Sequence, residues 1–157
     1  MIDQSLITAL VDTWRPETHT FHLPCGEMAP TLQDVAYLLG LPIEGDVVGP
    51  RVATNLHPDT DDDSVRRSLE AYLLWLFGSI MFKNGTSNSV DKVLIPYAQE
   101  IADAPEDIVP IWSWGSAVLA ATYRGLCDAC IKDDSNARFQ GCALLLQLWS
   151  YERLAMG

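Results

Sequence analysis

The sequence predicts a mainly α-helical domain of about six helices around a central helix at residues 64–82, with a small β-hairpin near residues 18–29. Apolar residues recur at helical spacing in separate segments, which favours helices that each bury one face. Residues typical of strands cluster in one short stretch. A length of 157 residues suits one domain with its own core, so we treat residues 1–157 as a single globular domain.

The N-terminal part of the chain predicts a helix and then the hairpin. Apolar residues at helical spacing favour a helix over residues 2–14, which Pro16 ends. Strand-forming side chains follow at residues 18–23. Residues 24–26 read Pro-Cys-Gly and predict a turn before a return strand at residues 27–29.

The next helix carries the clearest local signals. Thr31 is a good N-cap, and Asp34 follows three residues later in the arrangement of a capping box. Gly40 stands where a left-handed residue would end the helix, and Pro42 prevents continuation. These signals predict a helix over residues 32–39.

The longest predicted helix covers residues 64–82 and follows a loop at residues 49–63 that ends in an acidic run. Leu69, Tyr72 and Trp75 help to make this helix apolar on nearly all sides. Such a helix belongs at the centre of a bundle.

Three more helices are predicted toward the C-terminus. One covers residues 90–103, where Pro96 kinks the helix or delays its start. Another covers residues 114–131 with Ser113 as its N-cap. The last covers residues 139–154.

The charge of the chain disfavours binding to nucleic acids. The net charge is −11, and affinity for nucleic acids depends largely on Lys and Arg that neutralise phosphates. The longest apolar run, residues 71–82, is too short to span a bilayer, so we expect no membrane contact. Neither a signal peptide nor a nuclear-localisation cluster is visible.

Cysteines and histidines provide only weak candidates for a metal site. Cys127 and Cys130 form a CxxC inside a predicted helix, without a second CxxC to complete a zinc site. His19 and His22 would face opposite sides of a strand. We therefore predict no metal and no cofactor, with buried thiols as the main interpretation and zinc as the alternative.

Motifs of catalysis are missing from the sequence. It contains no Gly-x-Ser-x-Gly, no phosphate-binding P-loop and no Gly-x-Gly-x-x-Gly. We therefore predict a protein that is not an enzyme.

Two arginines lie among apolar residues of the last two helices. A buried charge requires a partner. We expect Arg124 or Arg153 to pair with an acid such as Glu27, Glu70 or Glu152, as a structural contact.

Three residues are candidates for contact with a partner protein. Trp112 stands between Pro110 and a helix start, where an exposed aromatic side chain can anchor a partner. Trp114 is expected in the core. The hairpin adds His22 and Glu27.

Four blocks together carry a resemblance to a known family. They are WRPETHTFHLPCGEMAPTLQDVAYLLGLPIEGDVV at residues 14–48, SLEAYLLWLFGSIMF at 68–82, SWGSAVLAATYRGLCDAC at 113–130 and GCALLLQLWSYERL at 141–154. The chain resembles the plant mobile domain, which occurs in retrotransposon-encoded proteins and in plant nuclear proteins of the MAIN-like (MAINTENANCE OF MERISTEMS-like) group.

The resemblance implies a nuclear plant protein that acts in transposon silencing, regulation of gene expression and genome stability. It implies a long-form relative of serine/threonine protein phosphatase 7 as a partner. It also implies that the segment at residues 49–63 is shorter than usual in the family. The family is sometimes labelled aminotransferase-like, but three lysines in a domain of this size make pyridoxal-phosphate chemistry implausible.

Three hypotheses about function follow. The first is a non-enzymatic protein-interaction module. The alternative is a sequence-specific DNA-binding domain derived from a transposable element, which would need Arg51, Arg66 and Arg67 in one patch. The third is a metal-dependent enzyme built on His19, His22 and the cysteines.

Overall fold

A computed structural model describes residues 1–50, 63–83, 90–105, 108, 110–131 and 139–154. The helices in these residues are α1 (Gln4–Thr13), α2 (Leu32–Leu39), α3 (Asp63–Leu76), α4 (Ile95–Asp103), α5 (Trp114–Ile131) and α6 (Ala143–Arg153). The strands are β1 (Trp14–Arg15), β2 (Thr20–Leu23) and β3 (Gly26–Met28). The predicted fold class, mainly helical with a small hairpin, is confirmed. Residues 51–62 of the predicted loop lie outside the described residues.

The three strands form an antiparallel sheet in the order β1-β2-β3. The predicted hairpin is its β2-β3 half, with Phe21 opposite Met28. Trp14 does not close α1 as predicted, because its extended backbone pairs with Phe21 on β2. This pairing buries the Trp14 ring completely, 4.8 Å from the ring of Phe21 and 5.2 Å from that of Tyr123.

Helix α2 has the bounds and both caps that its sequence predicts. The Thr31 hydroxyl accepts the backbone N–H of Asp34 at 3.2 Å, and the Asp34 carboxylate accepts the N–H of Thr31 at 2.9 Å. Gly40 adopts a left-handed backbone at φ 65° and closes the helix.

Helix α3 continues as a π-helical segment, Phe77–Met81, in which the N–H of Phe82 donates to the carbonyl of Phe77 at 2.8 Å. Of α3 and this segment, only the segment is deeply buried, and its buried residues are Phe77, Gly78 and Met81. Residues 64–76 are exposed or half-buried. The predicted central position therefore holds only for the C-terminal end of this run, because its N-terminal turns pack mainly on α4.

Two helices begin later than predicted. A 3₁₀ turn, Lys92–Leu94, precedes α4, and the Asp91 side chain caps this turn by accepting the N–H of Val93 at 3.1 Å. Pro96 then lies in the first turn of α4, where its missing N–H is not needed. Gly141 at φ 119° separates the preceding residues from α6.

Helix α5 is the most deeply buried helix of the described chain, and its bounds match the prediction. Seven of its residues are buried: Trp114, Gly115, Val118, Thr122, Gly125, Leu126 and Ala129. Just before it, the Ser113 hydroxyl donates to the carbonyl of Ile43 at 2.9 Å, so this side chain ties α5 to the chain beyond α2.

The core consists of two hydrophobic clusters that share Leu38 as a neighbour. The first contains Phe77, Tyr97, Trp112 and Trp114, with rings of Phe77 and Trp114 stacked at 4.8 Å. The second is built around α1 and the sheet and contains Ile7, Leu10, Trp14, Phe21, Leu126, Leu146 and Trp149.

The crossing of α5 with the chain before α6 predicts an effect of a single methyl group. A Cβ added at Gly125 would lie 1.5 Å from the carbonyl oxygen of Gln140. We expect Gly125→Ala to lower the free energy of unfolding by about 2–4 kcal/mol, because a backbone oxygen cannot move aside cheaply. Urea denaturation measures the change.

Gly49→Ala is the matched control, since a Cβ there meets nothing within 4 Å. Equal stability of the two variants would contradict the close crossing.

Candidate interaction surface

Four large apolar side chains form an exposed row on α3. Val65, Leu69, Tyr72 and Trp75 are 71%, 39%, 56% and 54% exposed. Their spacing of four, three and three residues places them on one face of the helix. We call these four residues the α3 stripe. The apolar residues of this helix predict a place at the centre of the bundle, so its sequence pattern does not indicate the stripe.

The hairpin presents a polar face. His22 and Glu27 lie opposite each other on β2 and β3, with Nε2 of His22 3.3 Å from Oε1 of Glu27. The Thr20 hydroxyl donates to Oε2 of Glu27 at 3.1 Å. Both His22 and Glu27 are exposed, so they remain candidates for contact with a partner.

Trp112 is 1% exposed, and the prediction that it offers an exposed anchor is wrong. Its backbone forms a parallel bridge with Asp46, which draws the ring inward against Tyr97 at 5.2 Å and Trp114 at 5.9 Å. Trp114 lies in the same cluster, as predicted.

The predicted structural arginine is Arg153, but its partner is Asp34 rather than any of the three glutamates proposed. Arg153 donates from Nε at 3.2 Å and from Nη2 at 2.5 Å to Oδ1 of Asp34. The other oxygen, Oδ2, accepts the N–H and the hydroxyl of Thr31, both at 2.9 Å. One carboxylate therefore caps α2 and fastens the end of α6 to it.

The electrostatics of this carboxylate follow from these contacts. Burial alone would raise the pKa of Asp34, but the hydrogen bonds from Arg153 and Thr31 outweigh burial and hold the pKa below its ordinary value. Tyr123 donates to the carbonyl of Pro30 at 2.6 Å. Burial, and then the charge of Asp34, raises the pKa of the Tyr123 phenol.

Arg124 is exposed on α5, and the pairing with an acid that we expected of one of the two arginines is made by Arg153. It lines a cavity of about 760 Å³ beside α5. Lys83 lies in the same wall, together with Asp91 and Asp128, so two positive and two negative side chains face the cavity. Their formal charges cancel.

The candidate metal ligands serve other contacts. The indole N–H of Trp14 donates to Sγ of Cys127 at 3.3 Å, and Sγ of Cys130 donates to the carbonyl of Cys127 at 3.2 Å. His19 stacks on Tyr123 at 6.2 Å, while His22 pairs with Glu27. Within the described ranges, no three His, Cys, Asp or Glu side chains gather in a metal-binding group.

Two of the four thiols have a raised pKa. Burial, and then the neighbouring Cys127, raises the pKa of Cys130. Burial also raises the pKa of Cys142. Both shifts favour the protonated thiol, whereas the thiolate is the form that binds metals and attacks substrates.

The DNA-binding alternative requires Arg51, Arg66 and Arg67 in one patch, and the structure describes only the last two of them. Arg66 makes an ion pair with Asp103 of α4. Arg67 is also engaged in an interaction within the molecule. Arg51 lies outside the described residues.

Comparison with known proteins places this sequence in a family. The sequence model of the plant mobile domain matches residues 1–65 and 54–157. The chain belongs to the plant mobile domain family. No solved structure matches it.

Three relatives from Arabidopsis thaliana align with 99% of this plant mobile domain. Protein MAIN-LIKE 2 is 37% identical over 190 residues, the serine/threonine-protein phosphatase 7 long form homolog 35% over 190, and Protein MAIN-LIKE 1 34% over 194. The chain spans 27%, 14% and 37% of these proteins, respectively.

The alignments also bear on the shortened segment. They run over 190 or 194 positions, more than the 157 residues of the chain, so the relatives contain residues that this chain lacks. The family model matches in two pieces that meet at residues 54–65. This overlap of the two matches lies at the segment that the resemblance implies to be shorter than usual. Within the part that the structure describes, every helix is too short or too polar to cross a bilayer.

The Asp34 contacts predict a stability that depends on pH. We expect Asp34→Asn to lower the free energy of unfolding by about 1–3 kcal/mol at pH 7, since half-exposed Arg153 is partly screened by water. Because the folded pKa is depressed, this contribution is complete above pH 5 or so and disappears as pH falls through that pKa, below about 3.9.

Denaturation of both proteins between about pH 2 and pH 7 measures the effect. Asp12→Asn makes the same charge change at an exposed site on α1 and is the control. A constant difference between wild type and Asp34→Asn at all pH values would contradict the charged pair.

Proposed function

We propose that this plant mobile domain is a non-enzymatic protein-interaction module of a nuclear plant protein that acts in transposon silencing, regulation of gene expression and genome stability. The observation that carries the proposal is the α3 stripe. Contiguous apolar side chains on a surface mark contact sites, and Tyr and Trp supply a large share of binding energy in protein interfaces.

The charges favour a protein partner over DNA. A domain with a net charge of −11 repels phosphate backbones. Arg66 is already paired with Asp103, which reduces the positive charge it offers to a phosphate. Exposed apolar side chains gain little from a phosphate backbone but much from an apolar protein surface.

The buried polar groups support a role without catalysis. Asp34, Ser113, Thr122 and Ser150 are the buried polar residues of the described chain, and each makes a hydrogen bond within the fold. Catalytic groups, by contrast, face a pocket with their hydrogen bonds directed at a substrate. The hydrogen bonds of these four residues stabilise the fold.

The first partner to test is a long-form relative of serine/threonine protein phosphatase 7. The family resemblance is the basis of this choice. The relative of that name carries a region 35% identical to this chain within a much longer protein. A long protein offers many segments outside that region on which a second plant mobile domain could dock.

Native mass spectrometry tests the proposal. The purified 157-residue chain is mixed with the phosphatase 7 long form homolog, and separately with a random-sequence DNA duplex. We expect a complex of defined stoichiometry with the protein and no saturable complex with the duplex at physiological salt. Tight, salt-dependent duplex binding without a protein complex would favour the DNA-binding alternative.

A further inference from the structure

We propose that the α3 stripe binds an amphipathic helix of another protein, whose apolar face matches the stripe and whose flanks are rich in Lys and Arg. This inference rests on the proposed function, because it names the class of partner that the same surface would recognise.

The length and spacing of the stripe fit a helix. From Val65 to Trp75 the helix rises about 15 Å, or nearly three turns. Helices that bind in apolar grooves make contact through apolar side chains three or four residues apart. The rings of Tyr72 and Trp75 lie 6.0 Å apart and form one continuous aromatic surface at the C-terminal end of the stripe.

The residues between the anchors permit close approach. Ser68 and Ala71 are exposed and small, so a second helix axis can come within about 8–10 Å. The Ser68 hydroxyl already donates to the carbonyl of Ser64 at 2.8 Å. Covering this part of α3 therefore leaves no unsatisfied hydroxyl donor.

The rotation of α3 is fixed by contacts on its other sides. Leu73 and Leu74 pack against the first core cluster, into which Phe77 and Met81 insert. Arg66 is paired with Asp103 on α4. The outward position of Tyr72 and Trp75 is thus a consequence of packing at both ends of the helix.

The net charge of the domain favours a partner with positively charged flanks. A net charge of −11 attracts positively charged segments over long range and speeds their association. The same charge makes two copies of this chain repel each other. A basic partner is therefore favoured over a second copy.

A designed peptide tests the inference directly. The probe has about 18 residues, enough to form a helix, with Leu at helical spacing and Lys elsewhere. Two peptides of equal length serve as references: one has Glu in place of Lys, and the other has the same Leu and Lys in scrambled order. Fluorescence anisotropy measures binding of each labelled peptide to the 157-residue chain.

We expect the basic amphipathic peptide to bind and both reference peptides to bind at least about tenfold more weakly. Trp75→Glu should weaken binding of the basic peptide by about tenfold or more. Tyr37→Glu is the matched control, because Tyr37 is 79% exposed on α2 and the variant adds the same charge away from the stripe. Val65→Glu is the second stripe variant if Trp75→Glu fails to fold.

The negative charge added by these variants distinguishes apolar binding from purely electrostatic binding. If attraction were electrostatic alone, each added glutamate would strengthen binding of a basic peptide. Equal binding by wild type and the folded stripe variants, or equal binding of the Glu peptide, would overturn the inference. So would dimerisation of the chain that Trp75→Glu abolishes without any binding of the peptide.

Complex formation with the long form homolog tests the proposed function separately from peptide binding. Peptide binding through the stripe without a complex with the long form homolog would contradict that choice of partner and leave the helix-binding surface standing. A complex that Trp75→Glu leaves intact, without peptide binding, would overturn the surface and leave the interaction module standing.

Discussion

The fold depends on one carboxylate. Asp34 caps α2 through Thr31 and accepts two hydrogen bonds from Arg153, so it joins elements 119 residues apart. Tyr123 reaches the adjacent carbonyl of Pro30 from α5. Three helices thus converge at the start of α2, and the charge of Asp34 is stable there because donors surround it on both oxygens. The two core clusters meet beside this point, at Leu38.

Sequence patterns predicted the parts of the fold that local interactions decide. Helix α2 has its predicted bounds because Thr31, Asp34 and Gly40 lie within ten residues and satisfy their own backbone groups. The hairpin and the bounds of α5 follow in the same way from turn and periodicity signals. The sequence also predicts a structural role for Arg153, because a charge among apolar residues must find a partner.

The remaining features depend on contacts that a sequence pattern does not encode. The capping box already provides hydrogen bonds for the Asp34 carboxylate. The sequence pattern therefore does not indicate that Asp34 also pairs with Arg153. Trp112 is buried because its backbone pairs with Asp46, far away in the chain. For α3, apolar residues on nearly all sides indicated burial but could not tell which side would face the core. The charged Arg66, Arg67 and Glu70 were the available signal that its first turns lie near the surface.

The acidity of the domain opposes the self-association that the exposed α3 stripe would otherwise promote. An exposed row of Val, Leu, Tyr and Trp promotes association between copies of a protein. A net charge of −11 opposes that association, because like-charged molecules repel before their apolar surfaces can meet. The same charge disfavours contact with nucleic acids and favours a positively charged partner. The charge therefore keeps the apolar row available and selects what reaches it, and neither feature alone would give a specific docking surface.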